Sequence, residues 1–462
     1  MTSIIKNGIL VTETHAQHGD ILLVDGKIAA VGDLRNESAE TVYDARGCYV
    51  MPGGIDPHVH LSLPVGGGLL SADDFENGTR AALAGGTTSV IDFVTPEHGQ
   101  DLVTALRARR AEADHHVLCD YGLHMSVIEW RDSIPEEMAR SAELGAPSFK
   151  TYLAYKKAIG LDDAEFVRVL DAAARGRYLV TAHCEHGDII DYLQKNFVEE
   201  GKTAVRWHPR SRPAAVEEEA VTRAIALAGT LGASLYIVHL STAGGLEAAA
   251  AARAAGQALY VETCPHYLLL NEDAYEGSFD ETARYTMSPP LRGPEHSRAL
   301  WEGIEAGLVD VLATDHCPFC TSGQKERGRE DFTRIPNGIS GIEERLKLLW
   351  TFGVAPGRIT PQRFVELTST RAARIFGMYP RKGSLAVGAD ADIVVWDPAQ
   401  RTRLGVSHQV SRCDESVWEG AECVGAPRFV FSRGTEAVRE GQVLANPGHG
   451  HYLERRLLEG HV

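Results

Sequence analysis

Apolar residues along the chain follow two rhythms. Up to residue 52 they come in short alternating runs, SIIKNGILVT, GDILLVDGKIAAVGD and ETVYDARGCYVMP, with Asn7-Gly8 and Asp25-Gly26 at the turns. Period-two alternation puts one face of a strand on a core, and Asn-Gly and Asp-Gly are hairpin pairs. This stretch reads as a small β-domain with no catalytic-looking cluster. From Gly53 onward, longer apolar runs alternate with helix-like segments. The runs are CYVMPGGIDPHVH and residues 87–94, 117–127, 146–155, 177–185, 234–241, 259–268 and 309–316. Between them lie SADDFENGTRAALAGG, read as a helix from a Ser71 cap to Gly85-Gly86, DAEFVRVLDAAARG, and an alanine-rich stretch at 246–255. Eight buried strands, each followed by helix, predict an α/β fold of the (β/α)8 TIM-like barrel type. A doubly wound sheet is the alternative, but no glycine-rich phosphate loop follows any strand.

Beyond the eighth run, Thr360 is placed as a cap with Pro361 at the first helical position. Short strands and Gly/Asp turns then return, from KGSLAVGADADIVVWDP to about residue 443. The expected organisation is a small β-sandwich split around the barrel. Residues 1–52 and 381–443 build the sandwich, 53–380 the barrel, and 444–462 a docking tail.

A chain of 462 residues accommodates a barrel plus a satellite domain. The formal charge of −17 argues against nucleic-acid and anionic-membrane partners, both of which need basic patches. No stretch approaches the run of about 20 apolar residues needed to span a bilayer. The N-terminus MTSIIKNGILVTE reads as strand and turn, so a cytoplasmic location is expected. The eight cysteines are scattered, mostly inside apolar strands, which suits reduced thiols. Cys317-Pro-Phe-Cys320 has no second CxxC and no thioredoxin-like frame, so no redox or zinc role is expected of it.

GGIDPHVH ends in two histidines one residue apart. In a strand, side chains at i and i+2 share a face, so His58 and His60 converge and Val59 points away. Lys150, His183, His239 and Asp315 each close an apolar run, at PSFK, LVTAH, YIVH and VLATD. They should stand at the C-terminal ends of their strands, the face where barrels build active sites. Taken singly, a barrel histidine is often a hydrogen-bonded core residue, and an aspartate after a strand is often a helix cap. Their coincidence at one face favours a metal site. Lys150 is the odd member, because an ammonium repels cations. A buried lysine readily loses its proton, and a neutral amine can add carbon dioxide to become a carbamate, an anionic ligand able to bridge two metals. Four imidazoles, a carbamate and a carboxylate suit two divalent ions about 3.5–4 Å apart. His124, His266 and His316 are read as structural.

These motifs resemble the amidohydrolase superfamily, and within it the dihydropyrimidinase/hydantoinase family. The likeness runs from GGIDPHVHL through SFKTYLAYK, TAHCE, YIVHLS, VETCPHYL, YTMSPPLR, LATDHCPF and FTRIPNGISGIEERL to RKGSLAVGADADIVVWDP. It implies two metal ions, usually zinc, held by His58, His60, Lys150 as N6-carboxylysine, His183, His239 and Asp315. It also implies that Tyr155, Ser288 and Asn337 contact the substrate ring. The activity implied is hydrolytic opening of a cyclic amide or imide, a dihydropyrimidine or hydantoin giving an N-carbamoyl amino acid. A metal-bridging hydroxide would attack, Asp315 would carry the proton, and the Tyr155 hydroxyl would donate to the oxyanion. Dihydroorotases carry an arginine two residues after the second histidine where this chain has Ser62, and an asparagine where it has Ser288. Both differences favour an uncharged ring. Residues 64–70, Tyr152 and Ile159 fall where the family sets substrate preference. Alternatives are an allantoinase-like or dihydroorotase-like enzyme, a mononuclear deaminase, and a non-catalytic dihydropyrimidinase-related scaffold. The resemblance further implies a homotetramer with the tail at an interface.

Overall fold

The computed structural model describes residues 2–156 and 158–457. The N-terminal segment folds into β1 (Thr2–Val11), β2 (Ala16–Val24), β3 (Lys27–Gly32), β4 (Thr41–Asp44) and β5 (Tyr49–Pro52). Next come β6 (Gly54–Val59) and a short hairpin of β7 (Pro64–Val65) and β8 (Leu69–Leu70). Then follow β9 (Thr87–Val94), β10 (Asp120–Ser126), β11 (Ser148–Tyr152), β12 (Leu179–His183), β13 (Ser234–Ile237), β14 (Leu259–Thr263) and β15 (Val311–Leu312). The C-terminal strands are β16 (Ile393–Arg403), β17 (Glu422–Ser432), β18 (Thr435–Arg439) and β19 (Gln442–Val443).

Strands β6 and β9–β15 pair in chain order as an eight-stranded parallel sheet with helices between them, a nearly closed barrel. Each predicted apolar run supplies one of its strands. Side-chain alternation separates two cores. Phe149, Val180 and Ala182 face outward into the layer shared with the helices, whereas Ile55, Ile91, Leu179, Tyr236 and Val311 fill the barrel floor with Phe376 and Leu453. The two terminal segments meet where β5 pairs antiparallel with β16, giving one continuous nine-stranded mixed sheet with its own apolar core around Ile5, Val50, Ile393 and Phe431.

Helix signals were read with one error. The helix Phe75–Ala84 is capped by Asp74, whose carboxylate accepts from the Asn77 N–H at 2.7 Å, and not by Ser71. Ser71 Oγ instead accepts from Leu63 N at 2.8 Å and donates to His60 O at 3.0 Å, pinning the β7–β8 hairpin to the histidine strand. The Thr360 cap matches, opening the helix that begins at Pro361, and Asp163–Gly176 is capped by Asp162, a residue the sequence reading did not single out. The alanine-rich helix spans Ala243–Ala254. The tail packs on its own barrel, where Tyr452 bridges Tyr121 and Arg455 is fully buried, donating to Leu123 O and Ser148 Oγ. Its last residues, 458–462, lie outside the described residues. Among the described residues no helix is long and apolar enough to cross a membrane.

The seam between β6 and β15 lacks a ladder. Apart from a single Val59–His316 bridge, side chains close it. Thr314 Oγ1 donates to Asp56 Oδ2 at 2.6 Å, and the fully buried Arg345 guanidinium donates to Ile55 O and Leu312 O, both at 2.8 Å. Arg345 thus satisfies one carbonyl on each side of the gap, where an orphaned buried carbonyl would cost about 1–3 kcal/mol. Arg345→Met should therefore destabilise the protein by about 3–5 kcal/mol, read from denaturant unfolding, because it also leaves Asp56 buried beside no cation. Arg345→Lys should recover only part of the loss, since one ammonium cannot reach both strands.

Candidate metal centre and family

The polar residues cluster at the barrel end opposite the apolar floor. The Nε2 atoms of His58 and His60 approach Asp315 Oδ1 at 3.1 and 3.0 Å. One ligand atom from each of the three lies within 4.8 Å of the others. Val59 points into the outer core, as the i, i+2 pattern requires. His183 ends β12, and its Nδ1 lies 3.0 Å from His239 Nε2; the His239 ring centroid is 5.3 Å from that of His58. Lys150 sits mid-strand in β11, fully buried, with Nζ 5.0 Å from the Phe93 ring centre and 5.2 Å from that of Tyr152. Its positive charge depresses the basicity of all four imidazoles, so it lies among them.

Electrostatics follow from burial. Loss of solvent opposes the His58 imidazolium, but Glu262 and Asp315 on its two sides outweigh this and lift it to about 9. Burial likewise brings the Lys150 ammonium down to about 8, despite Asp315 and Glu262. Burial opposes the Asp315 carboxylate, yet His58 and His60 hold it well below its ordinary range. His60 Nδ1 and His239 Nδ1 are buried without a hydrogen-bond partner among the described residues. Buried polar atoms are rarely left so, and an imidazole lone pair with no donor is what a divalent cation requires.

Three of the ten non-glycine residues with a left-handed backbone among the described residues belong to this cluster. Tyr155, His239 and Asp315 have φ of 59°, 39° and 52°, left-handed conformations that cost a non-glycine residue of order 1–3 kcal/mol and persist only when the surroundings over-determine them. The three residues expected at a substrate ring are also brought together. Asn337 Nδ2 donates to Ser288 Oγ at 2.8 Å, and Ser288 reaches the Tyr155 hydroxyl, whose ring centre is 5.2 Å from that of His183. A cavity of about 690 Å³ lies between the β7–β8 hairpin and the helix Leu102–Ala113, lined by Ser62, Pro64, Leu70, Phe93, Arg109 and Glu112 and by none of the candidate ligands or ring-contacting residues. Of the positions read as setting preference, Pro64 and Leu70 line this cavity, while Tyr152 lies against Lys150.

Sequence reading missed the residues that aim the ligands. Glu262 on β14 accepts from His58 Nδ1 at 2.7 Å, from His239 N at 2.9 Å and from the Tyr236 hydroxyl at 2.8 Å. Glu185 sits 2.8 Å from His183 Nε2 and pairs with Arg212, whose guanidinium lies over the Tyr155 ring at 5.5 Å. The signal was present, since Glu262 is a carboxylate inside the apolar run LYVET, but attention to strand ends passes over it. His124 is structural as expected, bonded to Ser148 Oγ and Pro57 O, and His316 is held by Asp73 at 3.0 Å.

A sequence model of the amidohydrolase family matches residues 49–437. The chain belongs to the amidohydrolase family. The match extends to whole proteins. The D-hydantoinase of Geobacillus stearothermophilus is 43% identical over 456 residues, covering 98% of this chain and 97% of that protein. The D-phenylhydantoinase of Escherichia coli O9:H4 (strain HS) is 41% identical over 461 residues, covering 99% and 98%. Among solved structures, the dihydropyrimidinase of Brevibacillus agri NCHU1002 superposes with a TM-score of 0.97 at 40% identity over 98% of this chain and 99% of that one. The L-hydantoinase of Arthrobacter aurescens gives 0.88 at 30% over 97% and 99%. In this amidohydrolase His58, His60 and Asp315 form a group whose geometry could hold a metal ion. Glu262 fixes which nitrogen of His58 faces that site, because Nδ1 must carry the proton it shares with the carboxylate. Glu262→Gln should weaken metal binding by about 10–100-fold, measured by competition with a chelating dye.

Proposed function

We propose that this cyclic amidohydrolase, of the D-hydantoinase/dihydropyrimidinase kind, hydrolyses the ring of a hydantoin or 5,6-dihydropyrimidine to an N-carbamoyl amino acid. The observation that carries the reading is the convergence of His58, His60 and Asp315 beside a fully buried Lys150, in a chain that matches hydantoinases from end to end. His58, His60, Lys150, His183, His239 and Asp315 would hold two divalent ions, with zinc the metal we favour. Lys150 serves as N6-carboxylysine: burial keeps a useful fraction of its amine neutral near physiological pH, the form that takes up carbon dioxide, and the product is an anion among imidazoles. When bound, the metal pair supplies a water acidic enough to be deprotonated at neutral pH and polarises the scissile carbonyl.

This chain's residues do the rest. Asp315 accepts the water's proton and delivers it to the ring nitrogen as the C–N bond breaks. The Tyr155 hydroxyl donates to the carbonyl oxygen as it gains charge. Burial raises the Tyr155 pKa, so the group remains a donor through neutral pH. Ser288 and Asn337, already hydrogen-bonded to each other, hold the imide edge and set the carbonyl against the nucleophile. Ser62, in place of a carboxylate-binding arginine, supports an uncharged ring. We place the enzyme in the cytoplasm, a compartment that suits its eight free cysteines, and propose a homotetramer.

Metal analysis combined with turnover on hydantoin, phenylhydantoin, dihydrouracil, allantoin and dihydroorotate tests the reading. Two ions per chain and activity on the first three are expected. One ion per chain, or activity on dihydroorotate alone, would replace it with a deaminase-like or dihydroorotase-like enzyme. Tyr155→Phe should lower kcat by about 10²–10³-fold with little change in KM; the opposite split would confine Tyr155 to binding.

A further inference from the structure

The Cys317-Pro-Phe-Cys320 stretch does not pair with itself. Cys317 is buried, whereas half-buried Cys320 turns toward Cys413, a residue on the segment between β16 and β17. The two sulfurs and a carboxylate oxygen of Asp414 all lie within 4.8 Å of one another. Each thiol also lies by a carbonyl on the opposite segment: Cys320 Sγ is 3.8 Å from Arg412 O, and Cys413 Sγ is 3.5 Å from Phe319 O. The segments are held in register from outside the pair. Asp414 accepts from Thr321 N at 2.7 Å and Ser322 N at 3.0 Å, and Cys320 N donates to Gln324 Oε1 at 2.7 Å.

The other side of this junction is the mouth of the metal site. Gln324 Nε2 donates to Leu70 O at 2.7 Å and Arg327 Nη1 to Gly67 O at 3.1 Å, so the loop carrying Cys320 braces the β7–β8 hairpin. On the Cys413 segment, Ser411 Oγ and Arg412 N donate to Asp73 at 2.6 and 2.7 Å, and Asp73 holds His316, the neighbour of Asp315.

The two thiols are not equivalent. A hydrogen bond from Cys413 pulls the Cys320 thiol down to about 7, against burial, while the same bond and burial push Cys413 up. The partly exposed sulfur is therefore the better nucleophile, and the buried one waits beside it. Asp414 has both oxygens committed to backbone N–H groups, which leaves a dithiol rather than a complete cation site.

We propose that Cys320 and Cys413 form an oxidisable dithiol, in which Cys320 reacts first with hydrogen peroxide and Cys413 closes a disulfide tying the loop after Asp315 to the 405–418 segment. The Cys320 thiolate attacks a peroxide oxygen, the O–O bond breaks, and the departing hydroxide takes up a proton as water, leaving a sulfenic acid. Cys413, giving up its proton, attacks the Cys320 sulfur; the S–O bond breaks and hydroxide leaves as a second water. Two thiols are oxidised and one peroxide is reduced to two waters.

The test exposes the purified full-length protein to a small excess of hydrogen peroxide. Free thiols are counted before and after, and the product is mapped by mass spectrometry of non-reduced peptides. Loss of two thiols per chain in a Cys320–Cys413 cross-linked peptide, reversed by dithiothreitol, is expected. Cys413→Ser should leave Cys320 as a sulfenic acid trapped by dimedone, and Cys320→Ser should leave Cys413 unmodified, both variants keeping wild-type turnover. A cross-link between Cys317 and Cys320, a persistent Cys320 sulfenic acid in the wild type, or protection of both thiols that a chelator removes would each overturn the proposal.

Discussion

A barrel of eight parallel strands has no free edges only if its first and last strands meet, and here they meet imperfectly. β15 contributes two residues to the ladder before the chain leaves strand geometry, and Asp315 follows at φ 52°. A residue kept in a parallel ladder would hold φ near −120° and carry its side chain with the pleat. Released from the ladder, Asp315 turns its carboxylate across the gap to His58 and His60 on the first strand. The missing backbone hydrogen bonds are replaced by Arg345, Asp56 and Thr314. The site therefore exists because the seam is closed by side chains instead of peptides, and the spacing of the metal group is the width of that seam.

The second constraint is charge. Four imidazoles and one lysine are buried side by side, and they cannot all be protonated there, because desolvation and mutual repulsion act together. The structure divides them. His58, flanked by two carboxylates, is the easiest to protonate, while His60, His183 and His239 are pushed toward neutrality, in each case by burial first. Three imidazoles pushed toward neutrality, an anionic aspartate and a lysine poised to lose its charge form a set that a cation would complete. Glu262, joining His58, His239 and Tyr236 through one carboxylate, makes the arrangement rigid across three strands.

A third set of contacts couples this centre to a part of the chain far away in sequence. Burial raises the Asp73 carboxyl, but His316, Ser411 and Arg412 hold it at about 2, so it remains an anion binding the strand-end histidine to the segment after β16. The small domain is thus more than an appendage: its long β16–β17 connection packs over the loop that follows the site, and the Cys320–Cys413 contact lies in that junction.

Much of this was legible beforehand. Period-two runs with Asn-Gly and Asp-Gly turns marked the terminal strands, eight apolar runs marked the barrel, and polar residues interrupting those runs marked His58, His60, His183, His239 and Asp315, because burial tolerates such residues only for a reason. Caps were legible where one acceptor preceded the helix and ambiguous where several did: Ser71, Asp73 and Asp74 all precede Phe75, and only packing assigned Asp74 to the cap and the other two to the hairpin and His316. Local pattern determined which segments are strands and which faces are buried, since both depend on residues a few positions apart. Only the tertiary structure decided that Glu262 aims His58, that Arg345 closes the seam and that Cys320 faces Cys413 and not Cys317. Those pairs are separated by 204, 290 and 93 residues, and a contact across such a distance is set by how the whole chain closes on itself.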